Sequence, residues 1–363
     1  MGLIGNAKLS LYSFGSNGRC QLSLPIPDDV SVPTLIPVSF ELDQNNQNIS
    51  LRSNGNHTLL LVSGKLYACG QNTFGECFFQ PSSNVTTFRE VQLPSAVNLV
   101  AAGWQFSVIV MSDSRVYVSG EGLRGELGLG QGVKTTTLAT IENFPPAGTS
   151  IKQIAAGLAH VVVLLDNGEL WGWGYCRKGQ LGAENSAAKS MWTPVKISIS
   201  DDYVPVTICC GREFTAVIDL NGKVLVLYSG KDVLGFVKSM PDSVPSWSDF
   251  QCGWSTLHIR DDSGKIISWG NNSHCQHVPA NVPEFSIMSC GSEHTIGLDR
   301  KGTVYAWGWG EHGNCGNLVD RAAGDVNFNY ANAVLDTSEL RSGDRVIFLG
   351  SGCATSWIGT VST

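Results

Sequence analysis

Charge is scarce in this chain. Only 15% of its 363 residues are Asp, Glu, Lys or Arg, against 42% hydrophobic, a balance that excludes a disordered chain. Basic runs are missing: 24 Lys and Arg face 31 Asp and Glu, for a formal charge of −7. A duplex-DNA binder needs a basic face, so no direct nucleic-acid contact is expected. Nor does any Lys/Arg cluster read as a nuclear signal. The longest apolar stretches, such as Val161–Leu165, are far too short to span a bilayer, so no membrane association is expected. Met1–Ser10 lacks the basic start and apolar run of a signal peptide, and Asn6 stands where a myristoylation motif wants Ser or Thr. No Gly-x-Ser-x-Gly elbow, His-Glu-x-x-His pair or Walker loop occurs. The expectation is a non-enzyme with no catalytic residues, no cofactor and no metal.

Glycine, by contrast, is abundant at 41 residues, which points to many tight turns. Cysteines number eleven, an odd count, and without a secretory signal free thiols are expected rather than a disulfide framework. Four Asn-x-Ser/Thr matches, at Asn48, Asn56, Asn84 and Asn271, would matter only in a secreted protein.

The glycines mark a repeat. Its clearest copy starts at Ala155-Ala156-Gly157 and runs through His160 and Val161-Val162-Val163. It turns at Asp166-Asn167-Gly168, continues as Leu170-Trp171-Gly172-Trp173-Gly174 and ends with Gly179-Gln180-Leu181-Gly182. Asp-x-Gly between apolar runs is a hairpin signal. The first glycine position is filled by Asn54, Gly103, Gly157, Gly211, Gly253, Gly291 and Gly352. The second is filled by Gly15, Gly70, Gly120, Gly174, Gly230, Gly270 and Gly308. Four units keep a separation of 17 between the two, while spacing between units ranges from 38 to 61.

The phase of the repeat fixes the closure. The chain opens with an outgoing strand, Leu9–Phe14, that has no incoming partner before it. It closes with an incoming strand, Thr355–Val361, that has no outgoing partner after it. Completing one shared unit removes the sheet edges that an open array would leave. An all-β fold follows: a seven-bladed β-propeller with the closing blade shared by N- and C-terminal strands, forming a single domain over residues 1–363.

Several motifs dissolve into this repeat. Gly120–Gly125 and Gly308–Gly313 match G-x-G-x-x-G, but they sit in repeat tips rather than at the start of a helix in a βαβ unit. His274-Cys275-Gln276-His277 resembles metal ligands, yet falls on tip positions and has no second ligand pair. His57, His160 and His294 stand three after the first glycine, where Phe106, Phe214, Thr256 and Thr355 stand in other units. They read as packing or hydrogen-bonding residues. Cys210, Cys252 and Cys290 fill the small-residue place before that glycine, as Ala102 and Ala156 do. Most tip tryptophans, among Trp171, Trp173, Trp269, Trp307 and Trp309, are expected in inter-blade core. Asp320–Arg345 reads as a long insertion before the closing strand: a lid, a partner arm or a solvated loop.

Positions one and two after the first glycine are expected in a turn entering each blade's inner strand, gathered on one face around the channel. They include Trp104, Gln105, Arg212, Glu213, Trp254 and Glu293, a set that suits a protein interface, where Trp and Arg dominate hot spots. The bland alternative has Trp104 and Trp254 lying flat against neighbouring blades. Trp309, Glu311 and His312 form a second candidate surface, because this tip departs most from the others.

The unit, above all Trp171-Gly172-Trp173-Gly174 through Gly179-Gln180-Leu181-Gly182, resembles the repeat of the regulator of chromosome condensation family. The likeness covers essentially the whole chain and implies a seven-bladed propeller. Within the family, the compact size and the tip from Trp307 to Gly316 are most similar to the small fungal propellers known for alpha-tubulin suppression and killer-toxin insensitivity. That resemblance implies a heterodimer with the small zinc-ribbon protein of diphthamide biosynthesis and a further link to Elongator. The implied roles are diphthamide formation and Elongator-dependent modification of tRNA wobble uridines, in the cytoplasm with the nucleus as a second compartment. The alternative is a guanine-nucleotide exchange factor for a Ran-like small GTPase, engaged at the channel face.

Overall fold

Seven short innermost strands line a central channel, and each opens one blade. The structure, a computed structural model, describes residues 7–43, 46–228, 234–318, 324–341 and 343–362. From the channel outward, blade 1 comprises Ile49–Asn54, His57–Val62, Lys65–Asn72 and Ser82–Glu90, all antiparallel. Blades 2, 3 and 6 repeat this plan, opening with Val97–Ala102, Ile151–Ala156 and Phe285–Cys290. Blades 4 and 5 open with Pro205–Cys210 and Trp247–Cys252 and have three strands each among the described residues. Blade 7 takes Asp344–Ser351 and Thr355–Ser362 from the C-terminal end, then Lys8–Gly15 and Val30–Leu35 from the N-terminal end. Leu9 faces Val361 and Gly15 faces Thr355, so the closing blade is shared as the repeat phase requires.

Three sequence expectations need correction. The first-glycine turn does not enter the innermost strand but leaves it. The small residues before the glycine, such as Ala101-Ala102, end the innermost strand, and the His/Phe/Thr position begins the second. Asp320–Arg345 is not an insertion. Its described part supplies the outer strand of blade 6, Asn327–Asp336, a short 3-10 turn and the start of the innermost strand of blade 7. Cys209 and Cys252 are joined by a disulfide, while the other nine cysteines remain thiols. Gly230 and the head of its shortened tip lie outside the described residues.

The core is divided among the seven seams between blades, each holding its own buried apolar cluster. Trp173 and Trp307 are fully buried and Trp269 nearly so, as expected of tip tryptophans, while Trp171 and Trp309 are half-buried. At the top of each seam one pair of residues decides the chemistry. His57 Nε2 lies 2.8 Å from Ser107 Oγ of the next blade, and that hydroxyl donates to Glu76 O. His160 meets Thr215, which donates to Gln180 O, and His294 meets Ser356, which donates to Asn314 O. Because each hydroxyl spends its proton on a tip carbonyl, the imidazole donates through Nε2–H. Nδ1 of all three histidines is left bare. Where the first blade offers Phe106 or Phe214, the next offers Val161 or Leu257, so the seam stays apolar.

The two marker glycines are needed for different reasons. At Gly157 a Cβ would overlap the His160 ring and the Gly211 carbonyl. Gly120 has φ of +111°, and a Cβ there would strike Gln105 O, the same oxygen that accepts from the Glu121 N–H at 2.8 Å. Gly157→Ala is therefore expected to destabilise by roughly 3 kcal/mol, the cost of an overpacked site, read by urea unfolding. A cost below about 0.5 kcal/mol, the ordinary surface value, would contradict this ring-seating role.

Candidate docking face

The third strand of each blade runs antiparallel to the second, so tips and first-glycine turns emerge on one face. Backbone bonds tie them together: Glu121 N–H to Gln105 O, Tyr175 N–H to Ala159 O and Trp309 N–H to Glu293 O. Position one forms a belt around the channel mouth. Trp104 N–H donates to Leu158 O, Leu158 to Arg212, Arg212 to Trp254, Trp254 to Ser292, and Ser292 to Gly352, over 2.7–3.3 Å.

This belt carries Trp104 on blade 2 and Trp254 on blade 5, with blades 3 and 4 between them on one side. Their rings nevertheless meet, 5.7 Å apart between centroids and tilted by 55°. They span the channel mouth rather than lying flat against neighbouring blades. Arg212 stacks over Trp254 at 5.5 Å, a cation–π contact. Trp104 is 38% exposed although it is a large apolar side chain, and Leu123 beside it is 56% exposed. A groove of about 450 Å³ opens there, lined by Trp104, Gln105, Leu123, Arg124, Leu158, Arg212 and Trp254. Arg124 is held over Tyr175 at 4.9 Å, so two guanidinium groups border the groove by stacking on aromatic rings. Glu126 at its floor is buried, which raises its carboxyl pKa, and it accepts from the Arg124 N–H at 2.5 Å.

The remaining candidates are spread over the same face. Glu293 is tied down by Ser255 Oγ at 2.9 Å and Gln276 Nε2 at 2.6 Å, whereas Glu213 is half-buried beside Arg212. Ala159 and Ala354 are buried at the matching positions of blades 3 and 7, so no acidic ring forms. On the blade 6 tip, Trp309 meets His312 edge-on at 5.3 Å and His274 at 6.5 Å, and His312 Nδ1 lies 2.7 Å from Asp29 Oδ2. Glu311 beside them is exposed. Sequence reasoning missed Leu123, Arg124 and Tyr175, because a groove wall built by adjacent tips has no linear signature.

His274-Cys275-Gln276-His277 is a tip. Gln276 accepts from the His274 N–H at 2.8 Å, as Gln180 does from Lys178 at 2.9 Å, and Cys275 takes φ of +61° at a tip-glycine position. Among the described residues no three metal-ligating side chains converge, and no helix is long and apolar enough to cross a membrane.

The sequence pattern of the RCC1-like domain matches residues 10–357. The chain belongs to this family. An RCC1 repeat-containing protein of Schizosaccharomyces pombe is 32% identical over 365 residues, covering 96% of this chain and 98% of the relative. The ultraviolet-B receptor UVR8 of Arabidopsis thaliana is 24% identical across 65% of this chain and 52% of its own length. Among solved structures, Prp20p of Saccharomyces cerevisiae, studied with its binding to Gsp1p and histones, superposes with a TM-score of 0.80. It is 19% identical, over 100% of this chain and 93% of that one. Human WBSCR16 superposes at 0.72, 17% identical, over 99% of each chain. Likeness at this identity shows the shared propeller.

Proposed function

We propose that this RCC1-like propeller is a non-enzymatic regulator whose channel-mouth face docks a small zinc-ribbon protein of diphthamide biosynthesis. The pair would act in diphthamide formation and in Elongator-dependent modification of tRNA wobble uridines, in the cytoplasm and the nucleus. The observation that carries docking is the Trp104–Trp254 pair spanning the channel mouth with Arg212 stacked on it. Large aromatic rings beside a guanidinium, next to a partly apolar groove, are the side chains that dominate binding energy at protein interfaces. The Trp309, Glu311 and His312 tip lies on the same face and extends the contact. The identity of the partner rests on the resemblance of the tip sequence to the fungal propellers.

Titration calorimetry with the zinc-ribbon protein tests the reading. Trp104→Ala and Trp254→Ala should each weaken binding by about 2 kcal/mol, near thirtyfold, and Trp309→Ala by less. Normal binding by all three variants would remove the face from the interface. Faster nucleotide release from a Ran-like GTPase, lost on charge reversal at Glu213 or Glu293, would replace docking with exchange.

A further inference from the structure

We infer that the Cys209–Cys252 pair is a redox-responsive link whose state sets the geometry of the docking rim; the link to docking rests on the function proposed above. Four observations carry it. First, the innermost strands of adjacent blades are stapled by side chains. Gln153 of blade 3 donates to Ile208 O and accepts from Ile208 N–H of blade 4, at 3.0 and 2.9 Å. Gln251 of blade 5 makes the same kind of bridge to Met288 O and Cys290 N–H of blade 6, at 3.0 and 3.1 Å. Between blades 4 and 5 that place is taken by the disulfide, with Cα atoms 5.8 Å apart. Second, blades 4 and 5 are both three-stranded among the described residues, and Phe236 and Val244, rather than a fourth strand, pack into their seam.

Third, the link lies directly under the rim. Cys209 is three residues before Arg212, and Cys252 is two before Trp254. Those rim residues are joined across the same seam by the 2.9 Å Arg212 N–H to Trp254 O bond and by the cation–π contact. Fourth, both sulfur residues are half-buried and line the channel, a space of about 450 Å³ through which a small thiol can reach them.

Reduction is a two-electron step by thiol–disulfide exchange. Two molecules of a small thiol such as glutathione give their protons and two electrons to the Cys209 and Cys252 sulfurs and leave as the oxidised disulfide. The S–S bond breaks and two protein thiols form. With the staple gone, blades 4 and 5 keep the Trp247 Nε1–H bond to Asp219 O at the far end of the innermost strand and the Arg212–Trp254 contacts at the rim. Nothing covalent then fixes the strand ends under Trp254, and its distance to Trp104 is no longer set. A partner that docks on the paired rings then favours the oxidised form, and by linkage it makes the bond harder to reduce by the same factor.

The test equilibrates the full chain in glutathione buffers of graded ratio, then alkylates it in denaturant for mass counting. In oxidising buffer nine cysteines should be modified and Cys209 and Cys252 protected. Eleven modified cysteines at every ratio would overturn the proposal. Reduction should shift tryptophan emission in the wild type but not in Trp254→Phe, lower Tm on the order of 5 °C, and leave Cys209→Ser/Cys252→Ser matching the reduced form. Emission that ignores the redox state would also overturn it. The emission arm needs no partner, so it stands even if the zinc-ribbon protein fails to bind. If that protein does bind, its affinity should fall about tenfold on reduction, and an unchanged affinity would sever the link to docking.

Discussion

A chain ending at Gly352 will not fold. The lost segment carries Thr355–Ser362, the second strand of blade 7, which pairs with Lys8–Gly15 on one side and Asp344–Ser351 on the other. Trp357, Ile358 and Val361 on that strand are fully buried. Losing three such side chains forfeits about 1.5–3 kcal/mol each, and the sum is comparable with the whole stability of a typical protein, ~5–15 kcal/mol. Two sheet edges also open in the middle of a ring that has no other closure. Near-ultraviolet circular dichroism and a melting scan check this, and a Tm equal to that of the full chain would contradict shared-blade closure. A circular permutant supplies the complementary arm. Leu9 lies opposite Val361, so a short linker can join the ends. New termini placed in the loop before Val97 should give a folded protein with its closing blade continuous.

Acid will destabilise the protein before most of its carboxylates are neutralised, although burial raises the carboxyl pKa of Glu76, Glu126 and Asp249 and these act in the opposite direction. Burial holds His57, His160 and His294 neutral, with pKa values lowered to about 4, 3 and 4. In the unfolded chain these groups titrate near 6.5, so below that pH the unfolded state binds more protons than the native one. Stability from these groups is complete above pH 6.5 and is lost as pH falls towards 4. Three protons correspond to about 4 kcal/mol per pH unit once all three are protonated in the unfolded chain. His258, lowered to about 3 by burial, acts in the same direction. Tm should therefore fall steeply between pH 6.5 and 4.5. Replacing the three seam histidines with Phe and their partners Ser107, Thr215 and Ser356 with Val copies the Phe106–Val161 seam and should flatten that fall. A wild-type Tm that is constant over the range would contradict the buried neutral assignment.

These seam pairs show how much was legible in the sequence. The seven units, their order and the shared closing blade follow from glycine spacing, because a glycine demanded by close approach cannot drift. A finer signal was also present. The residue three after the first glycine of one blade matches the residue four after it in the next: His57 with Ser107, Phe106 with Val161, His160 with Thr215, Phe214 with Leu257. Polar follows polar and apolar follows apolar around the ring, which gives the blade adjacency directly. The innermost strands were harder to read. Six of the seven end in Ala, Cys or Ser and the blade 1 strand ends in Asn54, so they look like the edge of a turn.

The docking face was legible as a list and not as a surface. Position-one residues share a rim because every blade repeats the same turn. That Trp104 reaches Trp254 across the mouth depends on channel width, which no local pattern encodes. The Cys209–Cys252 bond joins residues 43 apart on separate blades, and eleven cysteines offer many pairings. Arg124 and Leu123 were invisible for a related reason, since a tip becomes a groove wall only beside its neighbour.

Hydrogen–deuterium exchange of the propeller alone and bound to the zinc-ribbon protein tests the central claim most directly. Protection is expected at the turns around Trp104, Arg212 and Trp254 and at the Leu123–Arg124 tip. Protection confined to the hairpin turns of the opposite face, at Ser63–Gly64, Asn167–Gly168, Asn221–Gly222 and Ser263–Gly264, would contradict docking at the channel mouth.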